Sequence, residues 1–361
     1  MKRIWIRTAA ALLAAVLLFP CRAQAVSARR AIVMDAATGR VLYEKDADQR
    51  SLIASTTKIM TALVVCEQCN VLDRMRIPKE AVGIEGSSMY LREGEVLTIQ
   101  ELLYGLMLQS GNDAAVALAI YCGGTVEGFV ELMNDKAHRL GLTGTHFANP
   151  NGLDHPEHYS TARDLAVLAA CAMENPIFAK TVSTKTVTVA GRSLRNHNKL
   201  LWLVAGADGV KTGFTKAAGR ILVSSACRDG RRLIAVTIHD PDDWQDHAAL
   251  LEEGFSRYQV RQVVAAREQV GTVEIAGGTE TVVPLLADED FFYALAAEET
   301  VALCLPEPGF AYAPVVQGGK AGVAHVCVDG ASVGTVPLVY GQTVERQVTQ
   351  RKSFWERFFP D

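Results

Sequence analysis

The order in which helical and strand-like hydrophobic patterns follow one another constrains the fold of this chain more than any other feature. Two short strand-like runs, Arg30–Met34 and Arg40–Glu44, come first, and a series of helical patterns follows as far as Pro176. After Pro176 the apolar residues alternate or form short runs, which is typical of strands, and an amphipathic helical pattern over Trp244–Tyr258 closes the region. This order predicts an α+β fold in which helices pack on an antiparallel sheet.

Local signals place the ends of these elements. A capping box, Thr98-Ile99-Gln100-Glu101, begins a helix that runs to about Leu108, and Gly141 ends a later one. Asp229-Gly230 predicts a tight hairpin turn. The other helices are predicted over Asp113–Tyr121, Thr125–Leu140 and Ala162–Glu174, and the strands after Pro176 over Thr186–Ala190, Gly209–Phe214, Ile221–Cys227 and Arg232–His239.

A change in composition near Val260 predicts a second domain. From there to about Val344 the chain consists of short Val- and Thr-rich runs separated by glycines, such as Thr272–Ile275, Glu280–Leu285 and Ala324–Val328. The sequence therefore predicts a first domain over residues 26–258 and a small all-β domain over residues 259–345. The all-β domain contains no chemical constellation, which suits a spacer, an orienting module or a partner surface.

The first 25 residues have the composition of a secretory signal. A basic start precedes the apolar run Thr8–Phe19 and the small-residue cleavage pattern Ala23-Gln24-Ala25. We expect residues 1–25 to be removed and the mature chain to begin near Val26. A lipoprotein attached through Cys21 is the less favoured alternative, because large residues precede this cysteine where small ones are needed.

The C-terminal residues have an amphipathic pattern. If the segment from Val348 to Asp361 is helical, aromatic side chains lie on one face and a mostly basic set lies on the other. This pattern is typical of a membrane interface, so we interpret residues 346–361 as a membrane-associating tail, with packing on the β domain as the alternative. The aromatic residues are Phe354, Trp355, Phe358 and Phe359, and the charged ones are Arg351, Lys352, Glu356 and Arg357.

Composition argues against several kinds of partner and site. The net charge of −4 gives no reason to expect nucleic acid. Without Cys21 seven irregularly spaced cysteines remain of the eight, so a disulfide scaffold is not expected, and Cys66 and Cys69 are interpreted as core thiols. His155 and His158 form an H-x-x-H pattern without a third ligand, so neither a metal ion nor another cofactor is predicted.

The stretch Ala54–Leu63 places Ser55 and Lys58 three residues apart at the start of an apparent helix. Positions i and i+3 share a face, so a neutral Lys58 amine can take the proton of the Ser55 hydroxyl. That is a route to covalent catalysis without histidine. The alternative is that Ser55 caps the helix and Lys58 is solvated, and the pair alone does not decide between the two.

Two further triplets favour the catalytic interpretation. Ser110-Gly111-Asn112 lies in a corner between two predicted helices, and Lys211-Thr212-Gly213 lies on a predicted strand. With Ser55-Thr56-Thr57-Lys58 they form an S-x-x-K, S-x-N, K-T-G series. In these motifs the chain resembles the serine D-alanyl-D-alanine carboxypeptidases, the low-molecular-mass penicillin-binding proteins of bacterial cell-wall metabolism. The resemblance covers about Ala31–Phe255 and includes Asn149-Pro150-Asn151-Gly152-Leu153, His158-Tyr159-Ser160-Thr161-Ala162, Asn198-Lys199-Leu200-Leu201 and Asp208–Thr215.

The resemblance implies a β-lactamase/transpeptidase-like catalytic domain, with an antiparallel sheet flanked by a helical subdomain. It implies removal of the terminal D-alanine from peptidoglycan stem peptides ending in D-Ala-D-Ala, inhibition by β-lactams, and a peripheral position on the outer face of the bacterial cytoplasmic membrane. Ser55 would form the acyl-enzyme, Lys58 would act as general base, and Ser110 would relay a proton to the leaving amine. Substrate-binding roles fall to Asn112, His197, Lys211, Thr212, Gly213 and Phe214, the last as a backbone donor of the oxyanion hole together with the Ser55 N–H.

Two alternatives and one departure from the family accompany this interpretation. A class A β-lactamase shares the fold and the triplets but needs a glutamate in an E-x-x-L-N loop, and the chain has only Glu157 in that region, without the leucine and asparagine. A catalytically silent wall-binding scaffold is disfavoured by the intact motifs. Phe214 stands where relatives carry histidine, which leaves its backbone N–H available. His197 and Asn198 are expected to line or support the cleft, and Arg220 is assigned no role.

Overall fold

The computed structural model describes residues 26–305 and 309–348. The chain divides between Gly254 and Phe255 into two compact units, a few residues before the domain boundary predicted after residue 258. The predicted signal and the aromatic part of the predicted tail lie outside the described residues.

The first unit is built on a five-stranded sheet with the order β2-β1-β9-β8-β7, and every neighbouring pair in it is antiparallel. This confirms the antiparallel sheet predicted from the sequence. The turn Asp229-Gly230 joins the two central strands with positive φ at both residues, 50° and 80°, as the hairpin prediction requires. The strands are β1 (Arg30–Asp35), β2 (Val41–Lys45), β7 (Ala207–Thr215), β8 (Gly219–Arg228) and β9 (Arg231–Ile238).

Helices cover both faces of this sheet. Ile234 and Val236 of β9 belong to the large core shared with the helices on one face, while Leu233 points to the other face and lies against Gly254 in the last helix of the unit. Alternate side chains of one strand therefore enter two apolar layers. The helices are α1 (Lys58–Gln68), α2 (Ile99–Leu108), α3 (Asn112–Gly123), α4 (Val126–Arg139), α5 (Ala162–Glu174), α6 (Pro176–Ser183), α7 (Leu200–Leu203) and α8 (Asp243–Arg257).

Helix α1 lies in the middle of the helical layer, and its nine residues from Lys58 to Cys66 are buried. The predicted capping box of α2 is present: Thr98 Oγ1 accepts the Glu101 N–H, and the Glu101 carboxylate accepts the Thr98 N–H. Two short hairpins lie outside the main sheet and pair β3 (Arg74–Arg76) with β4 (Val96–Thr98) and β5 (Thr186–Val189) with β6 (Arg192–Arg195).

No helix was predicted between Pro176 and the strand that begins at Thr186, but this proline occupies the first turn of α6. Asn175 caps that helix by accepting the N–H groups of Ile177 and Phe178, at 3.0 and 3.1 Å. Proline is favoured at the start of a helix, where its missing N–H leaves no partner unsatisfied. Phe178 and Val182 bury their side chains in the core. This packing stabilises a helix in a segment whose apolar pattern is too short to predict one.

The second unit is all-β, as predicted. A two-stranded sheet pairs β10 (Tyr258–Val264) with β13 (Phe291–Ala296), and a six-stranded sheet has the order β14-β16-β17-β12-β11-β15. Pairing is antiparallel except between β11 and β15. The strands of the larger sheet are β11 (Gln269–Ala276), β12 (Val282–Ala287), β14 (Val301–Cys304), β15 (Phe310–Tyr312), β16 (Lys320–Val328) and β17 (Ala331–Tyr340).

The cysteines of the described residues are free thiols; Cys66 is buried in the core and Cys69 is half-buried. Within the described ranges, no single helix is both long and apolar enough to cross a bilayer, although two sharply bent helix pairs would meet that criterion jointly.

Candidate active site

Ser55 lies on a tight 3-10 turn, Ala54–Thr57, that leads directly into α1. Ala54 has φ of +45°, a left-handed conformation that costs a non-glycine residue about 1 kcal/mol or more. Side-chain hydrogen bonds hold the turn in place: Thr56 Oγ1 donates to the Ile53 carbonyl at 2.6 Å, and Thr57 Oγ1 donates to the Ala54 carbonyl at 2.7 Å. The candidate nucleophile is thus fixed at a strained corner. The sequence had indicated a regular helical turn instead.

His158 supports this turn from below. Its Nδ1 accepts the Ala148 N–H at 3.0 Å, so the ring proton is on Nε2, which donates to Thr57 Oγ1 at 2.6 Å. Burial lowers the pKa of His158 to about 4, and the ring is neutral at pH 7. Both ring nitrogens thus hold the surrounding backbone and the turn in place.

The Lys58 side chain is fully buried, and its Nζ has three oxygen neighbours. These are Ser55 Oγ at 3.0 Å, Asn112 Oδ1 at 2.7 Å and the Asn151 carbonyl at 2.5 Å. A neutral amine has two N–H groups and one lone pair. Because the amide and carbonyl oxygens can only accept, they take the two N–H groups, and the lone pair is left for the Ser55 hydroxyl proton.

The segment 149–153 brings the Asn151 carbonyl to Lys58. Gly152 has φ of +89°, and a Cβ there would lie 1.9 Å from the Ala54 carbonyl oxygen, so only glycine fits. Thr61 Oγ1 of α1 donates to the Pro150 carbonyl at 2.6 Å and fixes the segment from its other side. The Asn-Pro-Asn-Gly-Leu motif is therefore part of the environment of the lysine.

Electrostatics favour the neutral form of the Lys58 amine. Burial is the main cause that lowers the pKa of Lys58 well below its usual range, and the positive charge of Lys211 lowers it further, while Asp113 opposes the shift. Burial also lowers the pKa of Lys211 to about 7. Lys211 is only 2% exposed, and its Nζ donates to the Thr212 carbonyl at 2.9 Å. Lys211 thus influences the pKa of Lys58, although the two lysines belong to opposite walls of the site.

The Ser110-Gly111-Asn112 corner forms a second wall. Ser110 has φ of +59° and is nearly buried, and Asn112 begins α3. Asn112 Oδ1 holds Lys58, while its Nδ2 donates to the Glu85 carbonyl at 2.5 Å. Asp113 fixes the facing loop by accepting the Met89 and Leu91 N–H groups at 3.0 Å each.

Strand β7 forms the third wall. A Cβ on Gly213 would lie 3.3 Å from the Ser55 backbone nitrogen, so this glycine allows the strand to approach the turn. Asn198 is buried behind β7 and donates to the Gly209 carbonyl at 2.7 Å. Phe214 is 65% exposed at the rim.

These walls enclose a cavity of about 320 Å³. The structure brings six of the predicted site residues to its lining: Ser55, Ser110, His197, Thr212, Gly213 and Phe214. The other three, Lys58, Asn112 and Lys211, lie behind the lining. The sequence did not single out Ser87, Ile221, Asp243 and Trp244, which also line the cavity, and it assigned nothing to Arg220, which lines it as well.

Both units of the chain resemble known proteins. Residues 19–242 match the family described as D-alanyl-D-alanine carboxypeptidase, and residues 258–346 match the C-terminal domain of penicillin-binding protein 5. D-alanyl-D-alanine carboxypeptidase DacC of Escherichia coli is 34% identical over 90% of this chain and 86% of its own length, and DacF of Bacillus subtilis is 34% identical over 73% and 71%. The crystal structure of penicillin-binding protein 5 from Haemophilus influenzae aligns with a TM-score of 0.76 at 30% identity, over 89% of this chain and 98% of that one.

Proposed function

This chain belongs to the D-alanyl-D-alanine carboxypeptidase family of serine peptidases, and from that premise we propose the roles of its individual residues. The protein is a carboxypeptidase that acts on peptidoglycan stem peptides ending in D-Ala-D-Ala. The observation that carries our assignment is the position of the Lys58 amine, which is buried, held by two carbonyl oxygens and aimed at Ser55 Oγ.

In acylation, Ser55 Oγ attacks the carbonyl of the terminal D-Ala-D-Ala peptide bond, and its proton passes to Lys58 Nζ. As the C–N bond breaks, a proton must reach the leaving amine. Ser110 lines the same cavity and relays it from the protonated lysine, so Lys58 is neutral again and D-alanine leaves. Water then attacks the ester, and Lys58 accepts its proton and passes it to Ser55 Oγ as the bond between Oγ and the acyl carbon breaks, so the shortened peptide leaves as its carboxylic acid.

The oxyanion of the tetrahedral intermediate needs donors that are already in position. We assign the backbone N–H groups of Ser55 and Phe214, because Gly213 brings β7 against the Ser55 nitrogen. His197 and Thr212 border the space for the substrate, with Thr212 and the charge of Lys211 on the side of its terminal carboxylate. The side chain of Phe214 covers the rim.

The composition of the lining also separates this activity from a β-lactamase. Among the described residues that line the cavity there is no glutamate, and Glu157 is exposed on the 155–158 turn, where its carbonyl contacts His146 Nδ1. A β-lactam acyl-enzyme therefore lacks the glutamate that would activate its water, and the carboxylate of Asp243 in the lining is paired with Arg220, so we expect β-lactams to act as inhibitors.

The purified mature protein is expected to release D-alanine from a peptide ending in D-Ala-D-Ala and to turn over penicillin orders of magnitude more slowly. D-alanine is quantified with a coupled oxidase assay, and penicillin loss is followed by absorbance on the same preparation. The peptide ending in L-Ala-L-Ala is the matched control. Fast penicillin turnover without D-alanine release would contradict the proposal and favour the β-lactamase alternative.

We also propose that the C-terminal tail holds the exported protein at the outer face of the cytoplasmic membrane. The aromatic and basic pattern of residues 346–361 supports this proposal. Deletion of Val348–Asp361 from the signal-processed protein is expected to move it from the membrane to the soluble fraction, as measured by fractionation and immunoblotting. Release of D-alanine should persist, since the site lies in the first unit.

A matched variant separates the aromatic face from the charges. Replacing Phe354, Trp355, Phe358 and Phe359 with serine keeps the length and charge of the tail and is expected to release the protein as the deletion does. Membrane association that survives the deletion, or the serine variant, would disprove an aromatic anchor.

A further inference from the structure

Two cysteines of the second unit have their sulfur atoms closer together than an ordinary non-bonded contact. Cys304 Sγ lies 2.9 Å from Cys327 Sγ, although the residues are 23 positions apart in the chain. Non-bonded carbon atoms prefer a separation of about 3.5–4.0 Å, and sulfur is larger than carbon. A disulfide bond is about 2.0 Å long, so the two sulfurs need to approach by roughly 1 Å to form one.

The pairing of β14 with β16 places both side chains on one face of the sheet. Cys304 is opposite His325, and Cys327 is opposite Ala302. Directly opposite residues of an antiparallel pair share a face, as do residues two apart on one strand, so the cysteines are diagonal neighbours. Diagonal neighbours of a regular ladder are usually slightly too far apart for a disulfide. Here the register of β16 with β17 shifts between Val326 and Cys327, and such a bulge increases the local twist and re-aims a side chain.

The two thiols differ in their access to solvent. Cys304 is the last residue of β14 and is exposed, whereas Cys327 is buried. The hydrogen bond between them is the main cause that raises the pKa of Cys327. Because an external disulfide must reach the thiol with which it reacts, Cys304 reacts first, and Cys327 is in position to attack it afterwards.

We propose that Cys304 and Cys327 form a disulfide bond by exchange with an external disulfide, carried by a thiol oxidoreductase or by a small molecule such as oxidised glutathione. The Cys304 thiolate attacks one sulfur of that disulfide, whose S–S bond breaks and releases one thiolate. The Cys327 thiolate then attacks Cys304 Sγ and displaces the second. The chain loses two protons and two electrons, and the external disulfide becomes two thiols. Such bonds persist in exported proteins, so the inference fits the export proposed above.

The bond holds an edge strand to the sheet. β14 lies at one end of the strand order and pairs with β16 through four residue pairs, from Val301 to Cys304. A strand this short, paired on one side only, opens at a low free-energy cost. A covalent link at its last residue keeps β14 beside β16 even when its backbone hydrogen bonds open.

The first test determines the state of each thiol in the purified mature protein. The protein is equilibrated with excess oxidised glutathione, denatured in an alkylating reagent and digested without reductant. Mass spectrometry should then find the peptide with Cys304 linked to the peptide with Cys327, lighter by two hydrogen atoms than the two reduced peptides together. Cys304→Ser should lose the link and leave Cys327 alkylated. Cys227→Ser, at a half-buried position of β8, is the matched control and should keep it.

Three results of this test would overturn the proposal. The first is alkylation of both Cys304 and Cys327 after oxidation. The second is a mixed disulfide with glutathione that stays on Cys304 while Cys327 is alkylated. The third is a link in the first unit alone, between Cys69 and Cys122, whose thiols also share a hydrogen bond.

Hydrogen exchange tests the effect of the bond on the strand. Oxidation of the unmodified protein is expected to slow exchange of the β14 amides by about 10-fold or more relative to the protein kept in dithiothreitol. Cys304→Ser should exchange at the same rate under both conditions. Equal rates in the oxidised and reduced unmodified protein would reject the role of the bond in holding β14. Neither readout depends on D-alanine release, so failure of this inference is distinguishable from failure of the proposed reaction.

Discussion

Ser55→Ala is expected to lower kcat for D-alanine release by about 10⁵- to 10⁶-fold, the scale seen when a covalent nucleophile is removed from a catalytic set. The oxygen that forms the acyl bond disappears, and no other hydroxyl occupies its place: Thr56 and Thr57 point away and donate to backbone carbonyls. Because only one side-chain oxygen is lost at a half-buried position, the fold and KM should change little. Stopped assays with high enzyme concentration measure the residual rate.

Labelled penicillin provides the second readout for this variant. The unmodified protein should carry a covalent adduct on the peptide that contains Ser55, located by mass spectrometry, and Ser55→Ala should carry none. Ser51→Ala removes a hydroxyl that donates to the Gln49 carbonyl at 3.2 Å outside the cavity, so this control should label normally. An adduct that persists in Ser55→Ala would place the nucleophile elsewhere.

Lys58→Met is expected to slow acylation by about 10²- to 10⁴-fold, the usual contribution of a positioned general base. Methionine fills a similar volume and brings no charge into a fully buried position. The freed Asn112 and Asn151 oxygens lose a donor, so the melting temperature is expected to fall, and acylation must be measured on protein shown to be folded. Rapid-mixing experiments with labelled penicillin give the rate directly. Acylation at the original rate would remove Lys58 from the mechanism.

The same lysine gives the sign of the pH dependence. Only neutral Lys58 accepts the proton, so the acylation rate should fall as the pH drops through the pKa of Lys58, which lies well below the usual lysine range. Lys211→Gln removes a positive neighbour, so it should raise that pKa and move the acid limb of the profile to higher pH. The limb should still lie below the ordinary lysine range, because burial is the larger cause. A limb that moves to lower pH would contradict this account.

Sequence patterns were sufficient wherever the signal was local or the motif complete. The Thr98–Glu101 capping box and the Asp229-Gly230 turn each specify their own geometry, and both are present. The three motifs predicted four residues that line the cavity, Ser55, Ser110, Thr212 and Gly213, and the family resemblance added His197 and Phe214. Helix α6 was missed because its short apolar pattern is equally compatible with a strand, and its formation depends on the burial of Phe178 and on the Asn175 cap.

Contacts between distant segments were beyond the reach of the sequence. The Asn151 carbonyl that holds Lys58 belongs to the backbone 93 positions away. Every residue has such a carbonyl, so the sequence does not indicate which one contacts the lysine. Arg220 and Asp243 are 23 positions apart, and their pairing depends on where α8 begins relative to β8. The sequence also placed Ser55 on a regular helical turn, because the left-handed Ala54 is stabilised by Thr57 and His158 and not by its own residue type.

The surroundings of Lys58 also determine how reactive Ser55 is before the chain has folded. Its amine contacts Ser55, Asn112 and Asn151, which lie far apart in the chain, and the charge of Lys211 lowers its pKa. In an unfolded chain the same amine is hydrated and protonated at neutral pH, and the serine is as inert as free serine. Reactivity is thus a property of the assembled tertiary structure. Penicillin labelling is therefore expected to count the natively folded molecules in a population, because the unfolded chain is chemically silent.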